Sequence, residues 1–479
     1  MNAREAMAVM PLLMPLFILA SAPAAIMLVI TVRRNHAAAF TLSAGAVAAA
    51  LASIVPASGL APRQVSALLI IDAYALFFTG LILLAGLFVI LLSYDYLEMH
   101  EESREEFYLL LLTALLGSAV LAAADHFVSF FLGLEVLSVS LYALIAYQRI
   151  NALSIEAGIK YLILAAFSSA IVLFGMALVY ARSGNLTLSG IARAMTAAGS
   201  ADPALTAGTL LIVVGIGFKL ALVPFHMWAP DVYEGASAPV AGFVATVSKG
   251  SVFAFLLRFF MESGPVSGGA LATMFTLIAV LSMFAGNLLA LFQDNVKRLL
   301  AYSSIAHMGY LLVAFLASGP HRVMVAVFYL AAYFVTTLGA FGIVTVLSAK
   351  NRDADALDDY RGLFYRRPWI AGIFTAMLLS LAGIPLTAGF IGKFFMIAAG
   401  VVSSHWLLVA SLVITSAIGL FYYLRVMVAL YTPTIPSTAT SGPIRPLGKI
   451  TLAVLVVILF GLGLYPGPVT DWISAMTVR

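Results

Sequence analysis

The sequence contains no cysteine. Disulfides, cysteine-ligated iron–sulfur clusters and thiolate zinc sites are therefore excluded together. Charge is nearly as scarce. Asp, Glu, Lys and Arg make up 10% of the 479 residues, where a soluble domain carries about 25%. The seven histidines are scattered and no two are spaced like haem or metal ligands, so electron transfer by this chain is not expected. The formal charge of +4 comes from basic residues set singly between apolar runs. They form no stripe or groove, and nucleic-acid binding is excluded.

What is abundant is apolar sequence, at 63% of residues. A hydrocarbon core about 30 Å thick takes about 20 apolar residues per helix, and unpaired backbone is not tolerated inside it. Barrel strands would alternate in ~10-residue pieces, whereas the runs here are longer and continuous. They predict helices over 8–31, 37–56, 68–93, 108–124, 127–147, 158–181, 205–226, 237–261, 270–292, 299–317, 323–348, 370–402, 405–430 and 450–470. The fold class is thus an all-α polytopic membrane protein of about 14 helices, with the lipid bilayer as its first partner. The first stretch, Ala8 to Ile30 with Pro11 and Pro15 inside it, is long enough to span and is read as a helix rather than a cleaved signal.

Loop charge orients the bundle. One set of alternate loops holds Arg33, Arg34, Arg104, Arg149, Lys297, Arg298, Lys350, Arg352, Arg361, Arg366, Arg367, Arg425, Arg445 and Lys449. The other holds Arg4, Arg63, Arg182, Arg193, Arg258, Arg322 and Arg479. The basic excess belongs inside, so both termini are expected on the outer side. Four lysines remain over, Lys160, Lys219, Lys249 and Lys393, and all fall within predicted spans.

A charged side chain at the bilayer centre costs about 2.5–3.5 kcal/mol on insertion scales, and marks an ion or proton path by default. Glu135, in FFLGLEVLSVSLYAL, is the natural counter-charge, and Asp72 is a second carboxylate within a span. Lys160 lies near the start of its helix, where a long stem can snorkel. His226 and His307 titrate in a useful range, though a lone histidine on an apolar helix is more often a satisfied core residue. Asp72 stands near a helix end and fits a cap or ion pair equally well.

Two helices read as broken. Pro224 follows Lys219 by five residues in GFKLALVPFHMWAP, and Pro385 precedes Lys393 by eight in SLAGIPLTAGFIGKFF. Proline removes a backbone donor, and matched discontinuous helices in two halves of a chain point to inverted repeats with midplane sites.

WAPDVYEGASAPVAGFVATVSKGSVF, VKRLLAYSSIAHMGY and PLTAGFIGKFF stand in this order. In sequence and spacing they resemble the antiporter-like membrane subunits of proton-pumping NADH–quinone oxidoreductase (respiratory complex I). The likeness covers essentially the whole chain. It is sharper to the subunit N family than to subunits L and M or the Mrp-type antiporters, whose first motif reads more like PDAMEGPTPVSALIH. The resemblance implies two inverted five-helix repeats, helices 4–8 and 9–13, with helices 7 and 12 broken. The chain then divides into 1–107, 108–262, 263–431 and 432–479. It also implies proton translocation through Glu135, Lys219, Lys249 and Lys393, with Lys160, His226 and His307 as secondary groups.

No nucleotide fingerprint is present, and the glycine-rich GTLLIVVGIG lies inside a span. NADH, FMN, iron–sulfur clusters and quinone are accordingly expected in partner subunits, with no cofactor or metal in this chain. The partners implied are other membrane subunits of complex I. The location implied is a bacterial plasma membrane, since no transit peptide is seen. Two rivals remain open: a stand-alone Mrp-type cation/proton antiporter subunit, and a structural membrane scaffold whose lysines only hold water or lipid.

Overall fold

Long uncharged apolar runs can satisfy their backbone only within themselves, and the chain folds accordingly into helices. The computed structural model describes residues 3–100, 103–198, 202–262, 269–319, 321–350, 352–433 and 444–477. The domain boundary expected at 263, the side chain of Arg4 and the whole of Arg479 lie outside the described residues.

The order is α1 (Ala3–Val32), α2 (His36–Ser58), a two-residue antiparallel pair β1 (Arg63–Gln64) and β2 (Ile70–Ile71), α3 (Ala73–His100), α4 (Glu105–Ala123), α5 (Phe127–Ile145) and α6 (Ala152–Ser183). There follow a short α7 (Leu188–Ala198), then α8 (Pro203–Lys219), α9 (Trp228–Gly235), α10 (Ala238–Phe243), a π turn (Val244–Ser248) and α11 (Lys249–Glu262). The remainder is α12 (Gly269–Ala290), α13 (Val296–Leu316), α14 (Arg322–Leu347), α15 (Leu363–Arg366), α16 (Pro368–Ala382), α17 (Ala388–Val402), α18 (Trp406–Tyr431), α19 (Pro446–Leu464) and α20 (Gly467–Thr477). Among the described residues, 12 helices are long and apolar enough to cross a membrane. The stretch α10 to α11 counts as one of them, and α8, α16 and α17 are shorter apolar helices.

The third helix starts later than expected, because 63–71 turns back as a hairpin and Asp72 receives the Ala75 amide at 2.7 Å. The span expected at 205–226 ends at Lys219 and resumes at Trp228. The span expected at 370–402 is interrupted between Ala382 and Ala388. The last one stops at Leu464, and α20 follows it with Trp472 packed on Phe77 at 4.9 Å.

Helices α10, α11, α13 and α14 are buried almost along their whole length and form the centre, while α1, α2, α6, α12, α18 and α19 present apolar side chains outward. Small residues let neighbours approach. A Cβ on Gly117 would stand 2.6 Å from the Leu137 nitrogen across the α4–α5 contact, and one on Gly286 2.6 Å from the Ala306 nitrogen across α12–α13. With no water to drive association, such backbone proximity supplies much of the adhesion between membrane helices.

One arginine and one lysine assigned to loops by the sequence are in fact interior. Arg258 is 2% exposed; it donates to Asp72 through both terminal nitrogens at 2.8 and 2.9 Å and lies over the Tyr74 ring at 4.6 Å. Lys297, also 2% exposed, pairs with Asp353 at 2.6 Å. The basic loops otherwise gather on one face, where Arg34 meets Glu105 and Glu106 and Arg445 meets Asp95 and Glu98.

Removing one partner of a buried pair strands the other. Arg258→Met should therefore lower unfolding stability by about 3–5 kcal/mol. The double replacement Arg258→Met with Asp72→Asn should recover part of the loss, as read from thermal melts of the detergent-solubilised protein.

Candidate functional site: a line of buried amines

The break after α8 is built so that its freed groups find partners. Ala221 adopts a left-handed conformation (φ 55°), the Val223 amide donates to the Ser282 hydroxyl at 2.9 Å, and the Trp228 indole donates to the Phe218 carbonyl at 2.9 Å. The break ends α8 at Lys219, which is 3% exposed. Its amine donates to the Ser138 hydroxyl at 2.7 Å and faces the Tyr161 ring at 5.6 Å. Glu135, one turn before Ser138 on α5, accepts instead from the Ser169 hydroxyl at 2.5 Å. Glu135 thus lies one turn from the hydroxyl that holds Lys219, and the two form no ion pair among the described contacts.

Lys249 begins α11 directly after the π turn and is fully buried. Single π turns inside helices recur at functional sites. The amine donates to the Ser304 hydroxyl at 2.7 Å, and the same oxygen accepts from Tyr333 at 2.7 Å. Between Lys219 and Lys249 the packing is aromatic. Tyr161, Trp228 and Tyr233 form an aromatic column there, with ring centres 5.0 and 6.5 Å apart, and Lys249 faces Tyr233 at 5.5 Å.

From Ser304 onward, α13 carries a polar stripe of Ser303, Ser304, His307 and Tyr310. This is the helical spacing that puts them on one side. His307 shares a 2.7 Å hydrogen bond with Tyr329 and a 3.3 Å one with Tyr423, whose hydroxyl also meets Ser303 at 2.5 Å. The imidazole lies within electrostatic reach of both Lys249 and Lys393.

Lys393 sits beyond the second break and reaches back into it. Gly383 (φ 86°) and Leu386 (φ 75°) reverse the chain, and a side chain at Gly389 would collide with the Ser380 carbonyl. The amine donates to the Leu381 and Ala382 carbonyls at 2.8 and 2.9 Å and to Ser416 at 2.8 Å, above the Tyr310 ring at 5.2 Å. A cation at the end of α16 also meets the negative end of its dipole.

Two expected residues lie off this line. The Lys160 side chain is 42% exposed and binds Glu156 and Asp231, both at 2.7 Å, with Arg298 joining Asp231 and Glu234 on the basic face. His226 is buried within the first break. The residues that sequence reading missed are the neutral oxygens: Ser138, Ser304, Tyr333, Tyr423 and Ser416. Ser138, a turn after Glu135, and the Ser-Ser-x-x-His-x-x-Tyr spacing on α13 were the available signals.

Fold and site together define a polytopic membrane protein with three enclosed lysines in series, each held by uncharged oxygen. Residues 124–419 match the family described as NADH:quinone oxidoreductase/Mrp antiporter, TM, and the chain belongs to that family. NADH-quinone oxidoreductase subunit N of Ectopseudomonas mendocina is 49% identical, covering 96% of this chain and 94% of its own. That of Methylococcus capsulatus is 48% identical, covering 96% and 93%. A chain of respiratory complex I from Thermus thermophilus superposes with a TM-score of 0.82 at 34% identity, over 95% of this chain and 98% of that one.

Ser304 holds two groups at once, so Ser304→Ala should destabilise the solubilised protein by about 1–3 kcal/mol, the cost of buried polar groups left unpaired. Tyr333→Phe, which removes one donor from the same oxygen, should cost less in the same thermal melt.

Proposed function

We propose that this chain is a proton-translocating membrane subunit of a bacterial NADH–quinone oxidoreductase. The observation that carries the reading is that Lys219, Lys249 and Lys393 are enclosed and, among the described residues, pair with no carboxylate; hydroxyls and carbonyls accept their hydrogen bonds. A buried cation without a counter-charge costs several kcal/mol. A purely structural role gives no return for three of them, whereas a group that must take up and release a proton cannot be locked in an ion pair.

Glu135 is then the movable counter-charge. Closing on Lys219 at ~4 Å gains about 4 kcal/mol at an effective dielectric near 20, and moving one charge against 100 mV takes about 2.3 kcal/mol. The swing suffices to switch Lys219 between holding its proton and passing it to Lys249. From there Ser304, His307 and the tyrosines of α14 and α18 lead toward Lys393. The aromatic column between Lys219 and Lys249 makes that transfer the one that needs water or motion.

The glycine-packed pairs α4–α5 and α12–α13, and the breaks at Lys219 and near Lys393, recur at matching places. They support two five-helix repeats at 108–262 and 263–431 within fourteen crossings, with 1–107 and 432–479 flanking them. The shared basic face supports an inner side there, with both termini outside. NADH, FMN, iron–sulfur clusters and quinone belong to partner subunits, with no redox centre here.

In inverted vesicles carrying the assembled complex, Lys219→Met or Lys249→Met should cut NADH-driven proton uptake about tenfold or more, equivalent to at least ~1.4 kcal/mol on the limiting barrier. Glu135→Gln should lower uptake and quinone reduction together. Unchanged uptake with an intact complex would point to a scaffold, and sodium-for-proton exchange by the purified chain alone to a free-standing antiporter.

A further inference from the structure

The line of amines must be filled from one side, and the buried pair Lys297–Asp353 is bonded to residues that line a cavity. A cavity of about 60 Å³ opens on the basic face, lined by Asp95, Tyr96, Ser348 and Arg445 among others. That is room for several waters. Two of its lining residues reach inward to one carboxylate: Asp353 accepts from the Tyr96 hydroxyl at 2.7 Å and from the Ser348 hydroxyl at 3.2 Å. Its other oxygen meets Lys297 at 2.6 Å, and Lys297 also donates to the Ala236 carbonyl at 2.8 Å.

Beyond Lys297 the polar groups continue to the central lysine. Ser237 follows Ala236 in the chain, is 3% exposed, and its hydroxyl has no hydrogen-bond partner among the described residues. Tyr233, one turn earlier on α9, brings its hydroxyl to 3.4 Å from Ser304, which holds Lys249. Along α13, Lys297 and Ser304 are seven residues apart, or roughly 10 Å at 1.5 Å per residue. A buried hydroxyl without a partner is a place where water is retained.

We infer that Lys297 and Asp353 gate a water inlet running from the basic face, past Ser237 and Tyr233, to Lys249. With the pair closed, a salt bridge fills the only polar link between the cavity and Ala236 among the described contacts. With it open, the Ser237 and Tyr233 hydroxyls connect the cavity to Ser304. The resting state is closed, with the Lys297 amine 2.6 Å from the Asp353 carboxylate; burial alone would push that carboxyl up, but Lys297 and the Tyr96 hydroxyl more than offset this. The inlet rests on the proton-carrying role of Lys249 given above and adds the side and the route of its supply.

The chain lacks cysteine, so single thiols report cleanly. Ser237→Cys is placed in the assembled complex in inverted vesicles and exposed to silver ion, a thiol reagent small enough to follow water. The thiol remaining is titrated with a maleimide after the chain is separated. Ser237→Cys should be blocked from the basic face, and about tenfold faster when Asp353→Ala or Asp353→Asn loosens the gate, as expected of a local opening made easier. Lys350→Cys, exposed on that face, and Ser58→Cys, exposed on the other, are the sidedness controls. A Ser237→Cys thiol that stays free in every background while Lys350→Cys is blocked overturns the inlet. If Lys249→Met still abolishes pumping in that case, the role of Lys249 stands without it. If pumping ignores Lys249→Met, that role fails, whatever silver reports.

Discussion

An ammonium group enclosed by hydrocarbon must be solvated by something, and the architecture of this protein follows from what that something is. For Arg258 and Lys297 it is a carboxylate: Asp72 makes the first a tie between helices, and Asp353 holds the second across the closed inlet. For Lys219, Lys249 and Lys393 it is neutral oxygen, with a helix break beside the first and third and the π turn beside the second. A broken helix exposes carbonyls and dipole ends inside the bilayer, which are the backbone's own substitutes for water. The interruptions and the amines therefore need one another. Each break would be costly in lipid without a cation nearby, and each cation would be costly without polar groups of the kind that a break or an interior hydroxyl provides.

The division of labour between paired and unpaired charges was only half legible in the sequence. Apolar run length exposed the helices, and scarcity of charge made Lys219, Lys249 and Lys393 conspicuous. Proline and glycine marked both interruptions. Arg258 and Lys297, in contrast, sit near helix ends, where a one-dimensional reading places charge in the loops. Only packing against α3 and against Asp353 reveals them as interior. Lys160 follows the snorkelling alternative offered by its place near a helix start: its side chain is half-exposed beside Glu156 and Asp231.

The oxygens that complete the site were harder still. Serine and tyrosine are ordinary in membrane helices, and nothing in Ser138 or Tyr423 taken singly separates a proton relay from a residue bonding its own backbone. Their roles arise from distance across helices: Ser303 and Tyr423 are 120 positions apart in the chain and meet at 2.5 Å. Likewise, no periodicity foretold the aromatic column of Tyr161, Trp228 and Tyr233, because large rings at such positions also suit an inert core.

The π turn at Val244–Ser248 has an implication for how this lineage can vary. Such a turn is geometrically an α-helix that has accommodated one surplus residue. Losing a single residue there would restore an unbroken helix but swivel everything downstream by about 100°, the angle one residue subtends in a 3.6-residue turn. Lys249 would leave Ser304 and Arg258 would leave Asp72 in the same event. The segment is thus a phase-setting device: it tolerates exchange of side chains far more readily than any change of length.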